Sequence, residues 1–139
     1  MKPLTLKSFI PGIIWFLVIL VLICTPGNEL PEPKGWWQWI NLIHIDKLIH
    51  MGIFAVLVIL FSWPVAKGPF SRKEKWRIFL WISLAGCAWG LGTELIQKFF
   101  IPSRSFDMMD WTADSIGALA AIFFNKAFLL NRFPHAAGR

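Results

Sequence analysis

The chain has 139 residues, 56% of them hydrophobic and only 16% charged, with nine Trp, no Tyr and a formal net charge of +6. A soluble domain carries about a quarter charged residues, so that class is excluded. The length suits a single membrane domain over 1–139.

The first apolar tract, Ser8 to Thr25, runs for 18 residues without a charge, close to the roughly 20 that a spanning helix needs. Lys2 and Lys7 precede it like the basic start of a signal peptide. No small-residue cleavage site follows, so a retained anchor is expected. Val21-Leu22-Ile23-Cys24 only faintly resembles a lipoprotein box, because Ile23 is bulky. Cys24 and Cys87 lie in separate tracts and are expected as two buried free thiols. In the loop Pro26 to Ile45, Trp36, Trp37 and Trp39 suit a membrane–water interface, either as an aromatic anchor or as a surface for an amphiphile. Pro31 and Pro33 keep the start of that loop from forming a long helix.

The second tract, Met51 to Ala66, follows Asp46, Lys47 and His50. The third, Ile78 to Thr93, precedes Glu94. The fourth begins acidic, with Asp107, Asp110 and Asp114, and becomes apolar only from Ser115. The expected fold is an all-α bundle of four transmembrane helices, at about 8–25, 46–66, 76–100 and 107–130.

Four spans place both termini on one side. That side, with the loop Lys67 to Arg77, holds ten Lys and Arg against one acid, Glu74. The other holds four bases against seven acids. The positive-inside rule then predicts cytoplasmic termini. This asymmetry accounts for the isoelectric point near 9.8 without invoking nucleic acid. The basic loop could also touch anionic lipid head groups.

On the acidic side the polar residues fall on shared helix faces. Asp46 and His50 are four apart, Glu94 and Gln97 three, and Asp107, Asp110 and Asp114 three and four. Asp114 lies about 10 Å deeper than Asp107 by helix rise. Gly86, Gly90, Gly117 and Ala121 continue these stripes and permit close helix approach. The stripes should therefore meet inside the bundle. A buried charge there must be paired or hydrated, with Lys47, Arg104, Lys98 and His50 as candidate partners. The acids outnumber these bases.

The segments "DKLIHMGIFAVL" and "GTELIQKFFIPSRSFDMMDWTADSIGALAA" resemble the VanZ-like family of small membrane proteins. The matching positions are Asp46, Lys47, His50, Glu94, Gln97, Arg104, Asp107, Asp110 and Gly117, within Asp46 to about Ala121. Asp114 stands where the family often has Asn. The resemblance implies a four-helix protein of the inner, cytoplasmic membrane, with a link to resistance against teicoplanin-type lipoglycopeptides.

Three functions are compatible with this pattern. The first is an outward-facing site that binds or processes an envelope amphiphile: a lipid, a lipidated cell-wall precursor or a lipoglycopeptide. Its ligand-binding candidates are Asp46, Lys47, His50, Glu94, Gln97, Arg104, Asp107 and Asp110. Arg104 and Lys47 would pair with phosphate or carboxylate. His50, Glu94, Asp110 and Asp114 are the acid–base candidates if a reaction is catalysed, which the sequence leaves open. The second is a structural or accessory protein whose polar cluster locks helices together. The third is a small proton-coupled transporter. Asp107, Asp110, Asp114, Glu94 and His50 would suit a hard cation, but the spacing matches no metal motif, and neither metal nor cofactor is expected.

Overall fold

The computed structural model of the chain describes residues 4–26, 45–102 and 104–133. Trp36, Trp37, Trp39, Pro31 and Pro33 lie outside the described residues. A 3-10 turn, Leu6–Phe9, leads into α1, Ile10–Cys24. It is followed by α2, Ile45–Lys67, and α3, Arg72–Phe100. The last helix, α4, is Met108–Phe124, continued by a π-helical turn, Asn125–Leu129, and a final turn, Leu130–Arg132. All four units are long and apolar enough to cross a membrane.

Local chemistry sets the ends. Thr25 is extended at the end of α1, as the residue before Pro26 should be. Ser71 and Glu74 form a reciprocal capping box: Glu74 N–H donates to Ser71 Oγ at 3.3 Å and Ser71 N–H to Glu74 Oε2 at 2.7 Å. That cap starts α3 at Arg72, upstream of the expected 76, and draws Lys75 into the helix. Asp107 caps α4, its carboxylate accepting from Met109 N–H at 2.8 Å.

Helices α2 and α4 run parallel, and α3 runs antiparallel to both. Contact between α2 and α4 is the most extensive, and α1 packs on α2 and α3. A Cβ on Gly117 would collide with the Met51 carbonyl, so α4 touches the α2 backbone there. A Cβ on Gly86 would press on Val58 and Ala118 at 3.1 and 3.2 Å. The small residues thus permit the close approach that their spacing predicts.

Helix α1 leaves Ile13, Ile14, Leu17, Val18 and Val21 exposed. So large an apolar surface is suited to lipid. Trp15 ties the helix inward, donating from Nε1 to the Ile53 carbonyl at 3.0 Å. Both cysteines are free, but Cys24 is exposed and Cys87 only half-buried. The expected burial of both thiols is corrected because Cys24 lies on the outward side of α1.

Candidate functional site

One end of the bundle gathers the starts of α2 and α4 with the end of α3, and it carries the acids. At its rim Lys47 Nζ lies 3.1 Å from Asp46 Oδ2 and 3.2 Å from Asp107 Oδ2, and it also donates to Asp110 Oδ1. One ammonium therefore serves three carboxylates from two helices. Asp107 stands just outside the span. The Met109 N–H, and after it Lys47, hold its carboxyl below the usual aspartate range.

One turn deeper, His50 Nδ1 and Asp114 Oδ1 are 2.9 Å apart. A hydrogen bond at that distance requires one proton between them, whichever group carries it. His50 Nε2 is 3.9 Å from Asp110 Oδ2, so the imidazole stands between the rim cluster and the buried acid. Asp114 is fully buried. It fits because residue 90 is glycine: a Cβ there would lie 2.9 Å from Asp114 Cβ.

Glu94 on α3 is buried, and its Oε2 accepts from the Asp107 N–H at 2.8 Å. It thereby fastens the cap of α4 to α3. Thr93, which sequence spacing did not single out, is also buried and donates to the Gly90 carbonyl at 2.7 Å.

These groups border a cavity of about 200 Å³. Its polar wall is His50, Thr93, Glu94, Gln97, Arg104 and Asp114, and its apolar wall includes Ile19, Leu22, Ile23, Ile53 and Phe54. Two buried polar atoms on this wall, Arg104 Nε and Asp114 Oδ2, have no hydrogen-bond partner among the described residues. A buried unsatisfied group costs about 1–3 kcal/mol, more when charged, so both mark a place where a ligand could supply the missing partner.

The structure thus brings together Asp46, Lys47, Asp107 and Asp110 at the rim, and His50, Glu94, Gln97, Arg104 and Asp114 around the cavity. Lys98 stands apart, its ammonium 5.3 Å from the Phe99 ring centroid. Among the described residues no group of three or more His, Cys, Asp or Glu is placed to hold a metal ion.

The opposite end is basic outside and also polar within, which the sequence reading missed. Lys75 is buried, donating to the Phe133 carbonyl at 3.0 Å. Asn125 donates to Ser62 Oγ at 2.8 Å, both fully buried. The available signal was the α3 stripe Lys75, Phe79, Ser83, Gly86, Gly90, Glu94 and Gln97, which recurs at steps of three and four and is buried throughout.

No family model matches the chain, and no solved structure matches it. Over 112 residues it is 31% identical to an uncharacterized protein of Schizosaccharomyces pombe, an alignment covering 79% of this chain and 59% of the yeast protein. The chain therefore spans about three-fifths of the length of that relative.

Proposed function

We propose that this is a VanZ-like membrane protein whose acidic end faces outward and binds an anionic amphiphile, with both termini in the cytoplasm of a cell bounded by its inner membrane. The observation that carries the reading is the shared cavity of Arg104 and Asp114. It joins two buried polar atoms that have no partner among the described residues, Arg104 Nε and Asp114 Oδ2, to an apolar wall, which is the chemistry of a head group joined to a tail. Among the described residues Arg104, whose Nε has no partner, is the better placed of the two anion-binding candidates, because Lys47 is already committed to three carboxylates.

His50 and Asp114 supply a proton-holding pair at the cavity wall, and Glu94 a second carboxyl. A hydrolysis or group transfer on the bound head group would use them as acid and base. Among candidate ligands, membrane lipid is favoured over a cell-wall precursor or a lipoglycopeptide, because lipid would surround helices long and apolar enough to span a membrane.

A structural role is the second reading, supported by the Lys47 cluster, which links α2 to α4 on its own. A transporter receives less support. Below Asp114 the described residues form an apolar layer of Val58, Ala118 and Ala121, and the buried polar residues next beyond it, Ser62, Ser83 and Asn125, carry no ionisable group.

Substituting His50→Gln and Asp110→Asn separately, and measuring membrane abundance beside susceptibility to a teicoplanin-type drug and retention of lipid, tests the proposal. Loss of retention or resistance at unchanged abundance is expected. A parallel fall of abundance and function would favour the structural role.

A further inference from the structure

A second cavity, of about 220 Å³, lies between α1, α2 and α3, the helices that also supply most of the polar cavity's wall. Phe16, Leu57, Phe61, Ile82, Ala85 and Trp89 are among its walls, and its surface is almost wholly apolar. It sits directly below the polar cavity. On α1 the lining steps from Ile19 to Phe16, on α2 from Phe54 to Leu57, and on α3 from Thr93 to Trp89. Each step is a single helical turn toward the middle of the membrane. Neither cavity alone reaches the roughly 300 Å³ of a typical small-ligand pocket. They lie in adjacent helical turns, so a ligand longer than either would need both.

The two compartments differ in chemistry in the order a lipid requires, with the polar one at the membrane surface and the apolar one at depth. Of the two acids that line the upper compartment, Asp114 is bonded through Oδ1 to His50, and Glu94 accepts from a backbone N–H. Among the described residues Arg104 is the lining residue with a fixed positive charge, and its Nε has no partner. The small polar volume suits a compact phosphodiester head.

We infer that the ligand is a glycerophospholipid, its phosphate paired with Arg104 and one acyl chain lodged in the apolar cavity between α1, α2 and α3. The inference rests on the amphiphile reading above and adds the lipid class and the seat of the chain. Because α1 forms one wall of both cavities, the chain enters sideways from the bilayer, between α1 and the other helices.

The test is native mass spectrometry of the full chain in detergent, with added phosphatidylglycerol bearing sixteen-carbon or eight-carbon chains. The protein should retain the long-chain lipid about ten-fold better, because the longer chain reaches the deeper cavity and gains packing contacts there. Ala85 is an exposed position on the cavity wall, so Ala85→Phe fills the cavity without entering the core. It should abolish the chain-length preference while short-chain binding persists. Ala85→Met, a smaller filler, should fall between. Arg104→Gln should weaken both lipids about equally.

An intact chain-length preference in Ala85→Phe, with binding still lost in Arg104→Gln, overturns the seat of the chain and leaves the amphiphile reading standing. Equal binding of diacylglycerol, or no effect of Arg104→Gln, overturns the phosphate assignment. Preferential retention of a polyprenyl phosphate overturns the lipid class. Retention of no lipid at either chain length overturns both readings.

Discussion

The two ends of the bundle solve the problem of polar groups in a membrane differently. At the basic end the buried polar side chains are bonded locally, although Asn125 Oδ1 has no partner among the described residues. Asn125 donates to Ser62, and Lys75 to a backbone carbonyl. The charges outside are steadied by aromatic faces, with Lys67 4.8 Å from the Trp63 ring centroid and Lys126 5.5 Å from that of Trp76. At the acidic end ionisable groups from three helices converge, and two of their atoms remain unpartnered beside a cavity. Buried acids and bases without full pairing are costly in a bilayer. The acidic end keeps several such groups beside a cavity, whereas the basic end buries a single ammonium, Lys75, against a backbone carbonyl.

The largest expected effect comes from forcing the helices apart. Gly117→Val places side-chain atoms on the α2 backbone, so folded protein should disappear from membranes. Gly52, whose Cβ would meet nothing within 4 Å, should accept Val with unchanged abundance. Immunoblotting of membrane fractions compares them.

Removing the rim cation is next. Lys47→Met leaves three carboxylates without their shared ammonium. With the Lys47 side chain 21% exposed, the cost should be about 2 kcal/mol, between the limits for exposed and buried pairs. Thermal unfolding in detergent measures it, and adding Asp110→Asn should restore part of the loss.

A smaller effect separates the two ends directly. Asn125→Leu removes one hydrogen bond and one buried acceptor without a partner, a change of about 1 kcal/mol or less. Lipid retention should be unaltered. Asp114→Asn should spare stability to a similar degree and yet reduce lipid retention. Equal effects of the two on retention would erase the distinction between the ends.

The smallest effect concerns pH. The folded-state pKa of Asp107 lies below its ordinary value, about 3.9. Its stabilisation is therefore complete above that ordinary value and is lost as pH falls through the depressed folded one. Amide exchange at Met109 should stay slow at neutral pH and accelerate only in strong acid. In Asp107→Ala it should be fast throughout. With the carboxylate 45% exposed, the change should be confined to the first turn of α4.

Four membrane-length helices were legible because a spanning helix is a question of length and hydropathy. The acidic face was legible because Asp107, Asp110 and Asp114 keep helical phase, and the glycine stripe told which face met protein. Other features were hidden. Three-fold sharing of Lys47 depends on the lengths and rotations of side chains from two helices. The availability of Arg104 could not be read from spacing, since Lys47 was an equal candidate for an anion until its three carboxylates took it up. The buried role of Lys75 was obscured by its neighbours: among Arg72, Lys73, Glu74 and Arg77 it looked like one more loop charge, and only the capping box at Ser71 brings it onto the inward stripe. The apolar chamber below the site is a gap between α1 and its neighbours, and no residue type announces a gap.

The contact of Gly117 with Met51 has a consequence for the chemistry above it. Met51 follows His50 in sequence, and Gly117 comes three residues after Asp114. A backbone touching a backbone cannot slide as two flexible side chains can. It therefore acts as a gauge block that fixes the relative height of the two helices, and with it the 2.9 Å between His50 and Asp114. A chain that kept every polar residue of the site but lost this one hydrogen-sized side chain would carry the same groups at the wrong spacing.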